Sequence, residues 1–77
     1  MRDLIEYIAK GMVDSPDDVR VSETEQRGRV VIRLEVADGD YGKVIGKGGR
    51  VAQAMRALLK VSAVRRQEYA SLEIGDD

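Results

Sequence analysis

The sequence predicts an α+β domain: helix, strand, strand, helix, helix, strand, with a three-stranded mixed sheet and all three helices on one face. Three observations predict it. A helix-spaced apolar series opens the chain and a longer one fills residues 49–64, while Val30 to Val36 alternates like a half-buried strand. Between the second and third strands lie about thirty residues, a length that suits a helical crossover joining parallel strands, and such crossovers are right-handed. Helices confined to one side of a small sheet then bury one common core.

Each element follows from its residues. Leu4, Ile5, Ile8, Ala9, Met12 and Val13 recur at helical spacing with Asp3, Glu6 and Lys10 between them, so a helix is expected over 2–13. Asp14-Ser15-Pro16 stops it, because proline disfavours a helical residue before it. Val19 and Val21 alternate with Arg20 and Ser22 as a short strand, and Gln26-Arg27-Gly28-Arg29 turns the chain back. In the next strand Val30, Ile32, Leu34 and Val36 share one face. Asp38 or Asp40 caps a short helix over 40–45. A longer helix covers 49–64, with Gln53, Arg56 and Lys60 as its polar stripe and an apolar arc wider than one sheet covers. Ala70, Leu72 and Ile74 alternate with Ser71 and Glu73 in the closing strand.

Length and composition set bounds. Seventy-seven residues suit one small domain over 1–77 with a thin core. The chain has neither cysteine nor histidine, which removes disulfides, thiolate sites and the commonest general base and metal ligand, so no metal and no cofactor are expected. No apolar run approaches the ~20 residues of a membrane span and the first residues are not those of a secretory signal. A soluble, cytoplasmic protein with no membrane partner is expected.

The most informative stretch is Val44-Ile45-Gly46-Lys47-Gly48-Gly49-Arg50. Glycine lets a ligand approach the backbone. If Gly49 opens a helix, free N–H groups and the positive end of the helix dipole face the loop, a setting for an anion such as a nucleic-acid phosphate. Charge agrees. Lys43, Lys47, Arg50, Arg56, Lys60, Arg65 and Arg66 all fall within 42–67, which contains no Asp or Glu, although the whole chain has a net charge of −1. A merely solvated helix face would mix acids among them.

Gly46 and Gly49 are expected to bare the backbone to phosphate, with Lys47 a point charge and Arg50 a forked donor. Lys43 lies one turn earlier. Of Val44 and Ile45, one lines a base groove and one is core. Arg65 and Arg66 either flank the far end of that groove or complement the helix dipole. The loop fits neither Gly-x-x-x-x-Gly-Lys-Ser/Thr nor a dinucleotide fingerprint, since Gly48 and Val51 fall at required positions. Asp17-Asp18 and Asp76-Asp77 imply no pocket, and no catalytic constellation is present, so an enzyme is not expected. With only Tyr7, Tyr41 and Tyr69, readers that stack several bases on a sheet are disfavoured.

The element order, with Gly-x-x-Gly between two helices, resembles the KH domain. Placement of a helix and strand before those helices is similar to the second, prokaryotic topology. Ile45-Gly46-Lys47-Gly48-Gly49 fits the Ile-Gly-x-x-Gly signature, and the string from Gly42 to Arg50 resembles the small stand-alone bacterial KH proteins of the KhpA type. Ala52 stands where many KH domains have isoleucine, as the small bacterial group allows. Gly48 fills a variable position that is often polar. The resemblance implies weakly sequence-specific binding of single-stranded RNA, with Gly46 to Gly49 clamping about four nucleotides. It also implies an RNA chaperone or post-transcriptional regulator that forms a homodimer, or a heterodimer with a larger KhpB-like KH-containing protein. The wide apolar arc suits such contacts, and Met55 and Leu59 are its expected interface residues. The competing reading is an interaction module for which RNA is secondary.

Overall fold

In the computed structural model, which describes residues 1–75, α1 (Arg2–Met12) leads into β1 (Arg20–Gln26) and β2 (Arg29–Glu35). Then come α2 (Tyr41–Ile45), α3 (Arg50–Arg65) and β3 (Tyr69–Ile74), with short 3-10 turns at Pro16–Asp18, Asp38–Asp40 and Lys47–Gly49. The expected class and order are observed. The sheet order is β1-β2-β3, antiparallel between β1 and β2 and parallel between β2 and β3. Asp76-Asp77 lies outside the described residues.

Helix α1 buries Ile5 and Ala9, one turn apart, and its outer face is laced by Arg2–Glu6 and Lys10–Glu6 ion pairs at 3.1 and 2.8 Å. The hydrogen bond from Lys10 holds the Glu6 carboxyl below its ordinary range. Val13 is extended, so the helix ends one residue before the expected boundary, ahead of Pro16. Strand β1 runs on to Gln26, further than its own pattern suggests, because β2 pairs with it along its whole length. Arg27 and Gly28, both at positive φ, close the hairpin as a two-residue turn.

The core lies between the sheet and the helices. Val30, Ile32, Leu34 and Val36 meet Ile5, Ala9, Val44, Met55, Leu59 and Leu72. Burying each of the larger side chains stabilises the fold by about 2 kcal/mol. Asp40 is buried but does not cap α2. It accepts the N–H groups of Asp14 and Ser15 at 3.3 and 3.1 Å and so ties the turn after α1 to the start of α2. A cap needs a free carboxylate beside the helix N-terminus, and this one is committed to a distant segment. The Tyr41 hydroxyl donates to the Gly75 carbonyl and accepts from the Val36 N–H, joining the ends of β2 and β3 beneath α2.

Among the described residues no helix covers the opposite face of the sheet. By register that face presents Arg20, Ser22, Thr24 and Gln26, then Arg29, Val31, Arg33 and Glu35, then Tyr69, Ser71 and Glu73. Among the described residues no helix is long and apolar enough to cross a membrane.

Candidate nucleic-acid interface

Helix α2 ends because Gly46 takes φ 78°, ψ 169°, a conformation open essentially to glycine alone. The neighbourhood enforces the same choice. A Cβ at Gly46 would lie 2.5 Å from Val51 Cγ2 and 2.9 Å from the Val51 backbone nitrogen. The first turn of α3 therefore packs directly on this glycine. Gly48 (φ 64°) and Gly49 (φ 79°) are left-handed with open space around them. Gly49 donates to the Gly46 carbonyl at 3.0 Å, closing a tight loop that stands out at the head of α3.

Gly49 is the N-cap of α3, as the sequence suggests, and a glycine has no side chain with which to cap. The first turn of this 16-residue helix also contains no acid. The Arg50 N–H is taken by the Lys47 carbonyl, and the positive end of the α3 dipole faces the loop with neither a side-chain cap nor an acid beside it. Lys47 and Arg50 are exposed on either side, and among the described residues neither side chain has an ion pair or hydrogen bond.

Along α3, Arg56 and Lys60 are one turn apart and face the outer edge of β3. With Leu59, Ala70, Ser71 and Leu72 they line a cleft of about 270 Å³. Arg56 Nη2 reaches the Leu72 carbonyl at 3.4 Å, so the cation leans across the free strand edge. The sequence shows these two residues as a polar stripe; their place in the cleft depends on β3, which arrives from elsewhere in the chain. Ile45, about two-fifths exposed, is the groove-side member of its pair.

Several expected site residues are elsewhere. Val44 is fully buried in the core and unavailable to a base. Lys43 forms a 2.8 Å ion pair with Asp14, and that hydrogen bond raises its pKa; it points to the N-terminal turn, away from the loop. Arg65 and Arg66, by contrast, are exposed where expected, at the C-terminal end of α3, roughly 24 Å along the helix from the loop. Met55 and Leu59 are each 1% exposed and pack in the core, so they cannot form an intermolecular interface. The apolar arc does exceed what the sheet covers, but its outward part is Leu58, Val61 and Val64 at 47, 62 and 70% exposed.

A glycine loop at a helix head, set between α2 and α3 over a β-α-α-β crossover with an extra helix and strand in front, defines a type II KH-like domain. Comparison with known sequences narrows the class. The profile of the family described as KhpA/KhpB, KH domain matches residues 2–74. A protein of Clostridium acetobutylicum named RNA-binding protein KhpA is 46% identical over 74 residues, covering 96% of this chain and 99% of that one. Namesakes in Treponema pallidum and Chlamydia trachomatis are 47 and 40% identical over 96 and 100% of this chain, and 92 and 99% of their own lengths. No solved structure gives a significant match. The chain belongs to the KhpA/KhpB KH-domain family.

Proposed function

We propose that this protein binds single-stranded RNA without catalysis. Gly46 to Gly49 clamp the sugar–phosphate backbone, and the strand continues along the cleft between α3 and β3. The observation that carries the reading is the N-terminus of α3, without a side-chain cap, behind three positive-φ glycines and flanked by Lys47 and Arg50, whose side chains have no partner among the described residues. The relatives named RNA-binding protein KhpA support the ligand class. Arg56 and Lys60 supply the next phosphate contacts, and Ile45 gives bases an aliphatic surface. Contacts of this kind read backbone and shape, so sequence preference is weak. An RNA chaperone or post-transcriptional regulator working in the cytoplasm with a partner KH protein fits that chemistry.

The test is fluorescence anisotropy with a labelled oligouridylate and the Lys47→Asp, Gly48→Asp double variant. Asp tolerates the left-handed conformation at Gly48, so the variant keeps its fold while replacing a cation by acids at the clamp. Binding is expected to disappear; binding equal to that of the parent refutes the assignment.

A second reading concerns assembly. Leu58, Val61 and Val64 form an outward apolar strip with Ala54 and Ala57, on the side of α3 away from the core. Helical spacing of this kind suits antiparallel packing against a second copy or a related domain. Leu58→Asp with Val61→Asp should give a monomer by sedimentation with its circular dichroism unchanged. A monomeric parent at high concentration would remove this reading.

A further inference from the structure

The open face of the sheet is divided electrostatically. At one end Arg33 pairs with Glu35 at 3.0 Å and Glu73 at 3.5 Å, so charge there is balanced. At the hairpin end Arg27 and Arg29 have no side-chain partner among the described residues. Beside them stands Tyr69, 78% exposed. Arg29 and Tyr69 are register partners on adjacent parallel strands, about 4.8 Å apart. The nearby acid Glu25 is the register partner of buried Val30, which turns it to the helix side, where Glu68 beside it raises its pKa.

A lone exposed tyrosine on a strand is ordinary. Its setting here is not. A depression of about 230 Å³ is lined by Arg29, Tyr69, Ala70 and Ser71. Ala70 and Ser71 also line the cleft against Arg56 and Lys60. Because β3 is an edge strand, the cleft on the helix side and the depression on the open side meet over that edge. The Tyr69 N–H donates to the Gly28 carbonyl at 2.9 Å, which brings the hairpin turn and the end of α3 to the same pole. Arg29 thus stands beside the exposed ring, Arg27 lies in the adjoining hairpin turn, and Arg65 and Arg66 end α3 on the helix side of the same pole.

We infer that this pole is a second contact for the same single-stranded RNA: the strand leaves the α3–β3 cleft over the β3 edge, one base stacks on Tyr69, and Arg29 and Arg27 meet the flanking phosphates. The inference rests on the proposed RNA-binding function and lengthens the footprint beyond the four nucleotides of the loop clamp. An aromatic face accepts any base, and an arginine fork accepts any phosphate, so the contact adds affinity without adding sequence preference.

The experiment compares two labelled oligouridylates, one of about four nucleotides and one of about twelve, by anisotropy. The proteins are the parent, Tyr69→Ala, Tyr69→Phe, Arg29→Ser and the Lys47→Asp, Gly48→Asp variant. Tyr69→Ala and Arg29→Ser are each expected to weaken the long oligonucleotide roughly ten-fold and leave the short one unchanged. Tyr69→Phe keeps the ring and should bind as the parent does. Parental affinity of Tyr69→Ala for the long oligonucleotide overturns the inference. So does equal weakening of both lengths, or a Tyr69→Phe protein as weak as Tyr69→Ala. Loss of self-association in RNA-free Tyr69→Ala, with RNA affinity intact, assigns the face to protein contact and also overturns it. Failure of the function itself reads differently: the loop variant then binds both lengths like the parent.

Discussion

Substituting Gly46 by alanine separates the two jobs that glycine performs in this loop. At Gly46 the backbone lies at φ 78°, ψ 169°. Forcing a residue with a Cβ into such a region costs about 1–3 kcal/mol. The new methyl would also meet Val51 Cγ2 at 2.5 Å and the Val51 nitrogen at 2.9 Å. The first contact is relieved by a side-chain rotation, the second only by moving the head of α3. Overpacking of this kind adds about 1–3 kcal/mol, so the total is about 4 kcal/mol. A chain of 77 residues has about 4–12 kcal/mol of stability in all. Gly48→Ala and Gly49→Ala carry only the left-handed penalty, about 1–2 kcal/mol, because their Cβ positions are open. At about 4–8 °C per kcal/mol, Gly46→Ala should lower Tm by about 16–32 °C and Gly48→Ala by about 4–16 °C. Urea unfolding followed by far-ultraviolet circular dichroism measures the difference directly. A Gly46→Ala midpoint equivalent to within about 1 kcal/mol of Gly48→Ala would show that α3 does not pack on the loop as described.

Asp40→Ala strands the Asp14 and Ser15 N–H groups and should cost about 2 kcal/mol in urea unfolding, with Asp40→Asn costing less because one acceptor oxygen remains. With Lys47, Arg50, Arg56 and Lys60 on phosphates, log K for an oligouridylate too short to reach Tyr69 should fall against log salt with a slope of about −2.8. Lys60→Gln should make that slope shallower by about 0.7, and Lys43→Gln should leave it unchanged because Lys43 serves Asp14. Glu25 is raised above its ordinary value of 4.5 by its hydrogen bond with Glu68 and by that neighbour's charge. The folded chain therefore holds this proton to higher pH than the unfolded one. Stability falls as pH rises from 4.5 through the raised value, and the deficit persists above it. Glu25→Gln should accordingly raise Tm at pH 7, with the gap closing as pH drops below 4.5.

The layout of the fold was legible because its signals are local and periodic. Val30, Ile32, Leu34 and Val36 show a buried strand face, and the crossover length dictates that β3 runs parallel to β2. The loop was legible for the same reason, since its glycines, Lys47 and Arg50 are consecutive. What escaped depends on partners distant in sequence. A carboxylate before a helix looks like a cap whether or not it serves one, and Asp40 serves residues 25 and 26 positions earlier. The apolar excess of α3 is visible in the sequence. Its rotation is not, because only the seated sheet decides that Met55 and Leu59 point in and Leu58 and Val61 point out. Arg56 and Lys60 needed the β3 edge before they became the wall of a cleft.

The start of α3 is built against the usual preferences of a helix. A Ser, Thr, Asp or Asn cap stabilises a helix by about 1 kcal/mol, and an acid in the first turn adds about 0.3–1 kcal/mol through the dipole. This helix has neither, and Arg50 places a cation where the dipole is already positive. Helix α1 also lacks a side-chain cap, but Asp3 lies in its first turn and Lys10 in its last, so its charges match its dipole. Acids are plentiful elsewhere in the chain, so their absence from residues 42–67 is not a matter of composition. The head of α3 thus forgoes stabilisation that a single substitution would supply, at the point where Gly46 to Gly49 bare the backbone. A bound anion offsets both deficits at once, by meeting the positive end of the dipole where no cap or acid does and by neutralising Arg50 beside Lys47. An uncapped, acid-free helix head that also carries Arg50, set beside the glycines that bare the backbone, is the expected mark of a site maintained for its ligand.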